Sequence, residues 1–149
     1  MRTQWDGTLQ EWLDRVQDGI SALRRNVPND VARRLDLSPA SLDVLETWLL
    51  QTYPDHIALM RPEQKAAHDG IAQYIGETFI RALGGRWDLR KDDPKYAYYA
   101  LPQITGYCPR PTPEAPHVLA TAVLGRRTGK YLSELLSKMA QTKRQQDGR

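Results

Sequence analysis

The sequence predicts an α+β fold: about five helices, with a small antiparallel β-meander between the central helix and the C-terminal helices. Three observations carry this. Apolar residues recur at three- and four-residue spacing in several segments. After Gly84-Gly85 the period drops to two. A proline-rich stretch, PRPTPEAP at 109–116, then separates that β region from a closing helical part.

The first helix announces itself by a T-x-x-E capping box, Thr8 and Glu11. Leu9, Trp12, Leu13, Val16, Ile20 and Leu23 form its apolar stripe, and Arg24 and Arg25 suit its negative C-terminal end. Pro28-Asn29-Asp30 breaks it, and Val31 to Leu35 reads as a helical turn. In LDLSPASLDVLETWLLQTYP, Ser38 fits an N-cap and Pro39 the first helical position. Leu42, Leu45, Trp48 and Leu49 point inward, which leaves Asp43 and Glu46 facing water. The third long helix runs from Pro62-Glu63 to about Leu83, and Gly84 supplies its left-handed stop.

Alternation begins at Trp87 and Leu89. KYAYYAL reads as a strand with Tyr96 and Tyr98 on one face and Tyr99 on the other, and QITGYC as a third. The helical part from His117 splits at Gly125–Gly129, and a polar tail from residue 141 to 149 is expected to fray. The whole reads as one globular domain over residues 1–149.

The chain has 149 residues and a net charge of +3. Residues 126–149 hold seven Lys or Arg against two acids, a net of +5, which leaves the first 125 residues at −2. A single cysteine, Cys108, precludes an internal disulfide. The N-terminus has no apolar signal segment, and no run approaches the roughly 18 apolar residues of a membrane span, so a cytoplasmic protein without membrane contact is expected.

No catalytic motif is legible. GRRTGK at 125–130 has three residues between its glycines where a phosphate-binding loop needs four, and Tyr131 follows the lysine. Arg126, Arg127 and Lys130 remain anion-contact candidates. His56, His68 and His117 are scattered and lack the helical i, i+4 spacing of a metal site, so neither a metal nor another cofactor is expected. Arg110, Pro113 and Pro116 have the R-x-x-P-x-x-P spacing of a polyproline docking segment. In YIGETFIRALGGRW, Gly76, Glu77, Gly84 and Gly85 read as the structural anchor joining the central helix to the sheet. A Glu77 in a cleft would instead be an acid or base.

Leu35, Asp36, Ser38, Ser41, Leu42, Leu45 and Glu46, then Tyr74, Gly76 and Glu77, then Gly84, Gly85 and Trp87, form a spaced pattern. It is L-D-x-S-x-x-S-L-x-x-L-[DE], Y-x-G-E and G-G-x-W. In this it resembles a group of small bacterial proteins known mainly as domains of unknown function. The resemblance covers residues 35 to 101. It implies an α+β fold and a bacterial cytosolic setting, and it transfers no activity.

The leading expectation is a non-enzymatic protein-binding module of adaptor or immunity type. Trp87, Tyr96, Tyr98 and Tyr99 are its interface candidates, because aromatic residues are favoured at interfaces. A nucleic-acid-associated role through the basic C-terminal helix, and an enzyme built on Glu77, are the alternatives; a homo-oligomer is a further option.

Overall fold

The computed structural model describes residues 4–107 and 113–147. Five long helices appear, as expected, in an α+β arrangement: α1 (Leu9–Asn26), α3 (Ser41–Thr52), α5 (Lys65–Leu83), α6 (Pro116–Arg126) and α7 (Tyr131–Asp147). Two single-turn helices, α2 (Asn29–Ala32) and α4 (His56–Leu59), fill the connections, and a 3₁₀ turn at Pro62–Gln64 leads into α5. The Thr8 capping box is formed, with Thr8 Oγ1 accepting the Glu11 N–H at 3.1 Å and Glu11 reaching back to the Thr8 N–H at 3.4 Å. α3 begins at Ser41 with Ala40 at the N-cap, so Ser38 and Pro39, expected to start it, lie in the preceding turn, where Ser38 Oγ accepts the Ser41 N–H at 3.2 Å. The Asp36 side chain in turn accepts from the Ser38 hydroxyl and N–H, and these bonds hold its carboxyl below the usual carboxylate range.

α5 is the central element. It packs against α1 on one side and α6 on the other, with Ile71, Ala72, Tyr74, Ile75 and Phe79 buried. The α1–α5 contact is a backbone one: a Cβ on Gly70 would sit 2.9 Å from the Gly19 carbonyl oxygen. One buried cluster runs from Trp5 and Trp12 through α5 to Leu132 and Leu136 of α7.

The β region corrects the expected meander. The described residues hold two strands, β1 (Arg86–Asp88) and β2 (Gln103–Thr105), paired antiparallel with Trp87 opposite Ile104. KYAYYAL is not a strand. Tyr96, Tyr99 and Leu101 each donate their N–H three residues back, to Asp93, Tyr96 and Tyr98, so the segment winds as consecutive turns. Asp93 starts this by accepting the Lys95 N–H, with Pro94 at the turn's second position. Local turn bonds thus override the alternation of side-chain types.

The proline-rich stretch is tied down where it is described. Glu114 and Ile104 exchange both backbone hydrogen bonds, and Pro116 is buried in the first turn of α6. α7 continues to Asp147, so the polar tail is helical as far as it is described.

Candidate functional site

Two clusters gather side chains that carry chemistry. The first is internal. α5 supplies His68 and Asp69, and the start of α6 supplies His117. His68 and His117 are 1% and 3% exposed, with ring centroids 4.9 Å apart. His68 Nε2 donates to the His117 carbonyl at 3.0 Å, and His117 Nε2 donates to Asp69 Oδ1 at 2.8 Å. Lys65 lies 3.6 Å from the other Asp69 oxygen, and the Trp12 ring is 5.4 Å from that of His117. Burial, and then the neighbouring His117, lower the His68 pKa to about 4, so its imidazole is neutral at pH 7.

This is an Asp–His pair of the kind used for general-base work. Here the remaining ring nitrogen, His117 Nδ1, is itself buried, and the Trp12 ring packs tilted against the imidazole. The arrangement therefore ties α5 to α6 through a polar network inside the core. Sequence spacing missed it because the partners lie 48 and 49 residues apart. The only adjacent pair was His68-Asp69. Among the described residues no group of three or more His, Cys, Asp or Glu side chains could hold a metal ion.

The second cluster is at the surface, on residues 90–101. Tyr96, Tyr98 and Tyr99 are each half-buried. The Tyr96 and Tyr98 rings meet edge to face at 6.0 Å, and the Arg90 guanidinium lies 4.3 Å over Tyr96. Tyr96 Oη donates to Gln103 Oε1 at 2.8 Å. The segment is closed by the Ala100 N–H on the Arg90 carbonyl and by the Trp5 N–H on the Ala100 carbonyl, both 2.8 Å. Ala100 holds a left-handed φ of 57° to make this closure. Tyr96 and Tyr98 are thus brought together, by turns rather than by the expected strand face.

Trp87, expected beside them, is instead buried at 6% exposure. Its ring lies on Gly76, where a Cβ would meet Trp87 Cη2 at 2.2 Å, and packs edge to face with Trp12 at 5.3 Å. Gly76 thus admits an indole. Gly85 admits a strand, since a Cβ there would lie 2.5 Å from the Thr105 carbonyl oxygen; Gly84 and Gly85 have φ of 80° and 99°. Glu77 is half-buried one position away. Burial raises its carboxyl above the usual range, and Arg81 opposes the shift.

The anion-contact candidates divide. Arg127 takes a left-handed φ of 53° and turns its guanidinium onto the end of α3, donating to the carbonyls of Leu50, Tyr53 and Pro54 at 2.9 to 3.2 Å. It is a helix cap rather than a free cation. Arg126 stacks 4.9 Å over the Tyr131 ring, and Lys130 is exposed. Of the docking spacing, Pro113 is half-buried and Pro116 buried; Arg110 lies outside the described residues, as does Cys108.

Glu46, expected to face water, is fully buried. Asp43, beside it, accepts the Ser133 hydroxyl at 2.6 Å. Across the core, Ser41 Oγ donates to the Ser38 carbonyl at 2.6 Å, so Tyr74 Oη donates to Ser41 and accepts the Leu37 N–H at 2.8 Å. The spaced pattern of residues 35–87 is therefore largely a set of mutual contacts: Asp36 with Ser38, Ser41 with Tyr74, Gly76 with Trp87.

Comparison of the chain with protein-family models, curated proteins and solved structures finds no match. What the fold defines is an α+β protein in which, among the described residues, no helix is long and apolar enough to cross a membrane.

Proposed function

We propose that this protein is a cytoplasmic binding module, of adaptor or immunity type, that engages a protein partner through residues 90–101. The observation that carries the reading is the Tyr96–Tyr98 ring pair with Arg90 stacked on Tyr96, beside the half-buried Tyr99. Tyrosine and arginine are the residue types enriched at protein interfaces. A surface already held by its own hydrogen bonds loses little freedom on binding, which favours affinity. Ala100 and Trp5 supply that hold here.

The test places a photo-crosslinking amino acid at Tyr98 in the native host, with the exposed Gln17 on α1 as control position. The expected result is one discrete adduct from position 98 and none from 17. A Tyr98→Ala/Tyr99→Ala variant should lose the interaction while still unfolding in one cooperative transition. An adduct shared by both positions, or an interaction that survives the double substitution, overturns the reading.

A further inference from the structure

On another face, α1, α3 and the start of α5 enclose a cleft of about 410 Å³. We propose that it binds an alkylammonium group, with the stem and head of a lysine side chain as the ligand chemistry. This is independent of the tyrosine surface.

The floor is the α1–α5 seam, lined by Gly19, Ala67 and Gly70. The helices approach closely there, since a Cβ on Gly70 would sit 2.9 Å from the Gly19 carbonyl oxygen. The walls are Trp48 and Tyr53, whose rings are perpendicular, 90°, with centroids 6.2 Å apart. Tyr53 Oη donates to Gln64 Oε1 at 2.7 Å, which fixes that wall. Burial raises the Tyr53 pKa, so the ring stays neutral. The two rings pack edge to face and Tyr53 is buried, so the half-buried Trp48 ring is the one that offers a cation its quadrupole.

Charge decides between ligand classes. Glu63 is the one acidic or basic residue in the lining. Beyond Trp48, a second cleft carries Asp30 and Asp43 against Arg34. By their lining residues both clefts are net negative beside the indole, and the nearby Arg127 guanidinium is already held by the Leu50, Tyr53 and Pro54 carbonyls. An ammonium head would meet the Trp48 ring and Glu63 while its alkyl stem covers the small residues of the floor.

The experiment is a titration of isotope-labelled full-length protein, followed by amide and indole NMR shifts. The probes are choline and its neutral isostere 3,3-dimethylbutan-1-ol. Choline should shift the Trp48 indole and the Gly19 and Gly70 amides saturably, with the neutral alcohol about tenfold weaker or worse. Glu63→Gln, an exposed change that spares folding, should weaken choline several-fold. Trp48→Leu should abolish its binding in a protein that still unfolds cooperatively. A lysine-bearing peptide that binds more tightly than choline assigns the source to a protein; a weaker one assigns it to a free amine. Absence of shifts into the millimolar range, equal binding of the neutral isostere, or indifference to both substitutions overturns the proposal.

Discussion

Glu46 on α3 holds the first turn of α7: its Oε2 accepts the Tyr131 N–H and its Oε1 the Leu132 N–H, both at 3.0 Å. The two backbone donors are among those a helix start leaves without intrahelical partners. A carboxylate there also meets the positive end of the helix dipole. A residue 85 positions away in the chain thus does the work of an N-cap.

That relationship predicts the effect of Glu46→Gln. One acceptor oxygen becomes an NH₂ facing an N–H, with no room to leave, because Glu46 is fully buried. The expected loss is about 1–3 kcal/mol of unfolding free energy by urea denaturation. Hydrogen exchange at the Tyr131 and Leu132 amides should rise more than at Leu136. Unchanged protection at those two amides would refute the capping role.

Gly76→Ala should destabilise through a clash with the Trp87 indole, by about 1–3 kcal/mol. Trp87→Phe removes the ring atoms that the new Cβ would strike. The double variant should therefore lose less than the sum of the single ones, a coupling read from a double-mutant cycle. Additive losses would mean that the glycine serves some other purpose.

His68 sets an acid limit. Its pKa falls from 6.5 to about 4 on folding, so the unfolded chain takes the proton first as pH drops. The contribution to stability is complete above pH 6.5 and is lost as pH falls toward 4, by up to about 3 kcal/mol. His117 and Lys65 disfavour a charged His68, while Asp69 and the His117 carbonyl favour it. Glu77 and Glu114, whose pKa values are raised by burial, act in the opposite direction and soften the slope. His68→Gln keeps an N–H for the His117 carbonyl and does not titrate. It should flatten the stability profile between pH 6.5 and 4 in denaturation series; a profile as steep as the parent's would place the acid sensitivity elsewhere.

The part of the fold that sequence determined is the part whose causes are close along the chain. Thr8 and Glu11 are three residues apart, and their reciprocal cap formed as written. The stripe Trp12, Val16, Ile20 and Leu23 is buried because a 3.6-residue period puts those side chains on one face. Gly84 ends α5 with its N–H on the Ile80 carbonyl. The tyrosines 96, 98 and 99 were legible as an aromatic run, although alternation misassigned their backbone: turn bonds between Asp93 and Leu101 competed with strand pairing and won.

Only the tertiary structure decided what the polar residues do. Asp43 and Glu46 lie on the polar side of their own helix by period. That side is covered by α7, so Ser133, Tyr131 and Leu132 claim them from 85 to 90 positions away. His68 and His117 meet because α5 and α6 pack together. Trp48 and Tyr53 become walls of a cleft only where glycines let α1 reach α5. Periodicity reports which face of a helix is apolar; it carries no information on which other helix arrives there. A buried carboxylate or imidazole finds its hydrogen bonds across that contact, where an unpaired polar group is costly.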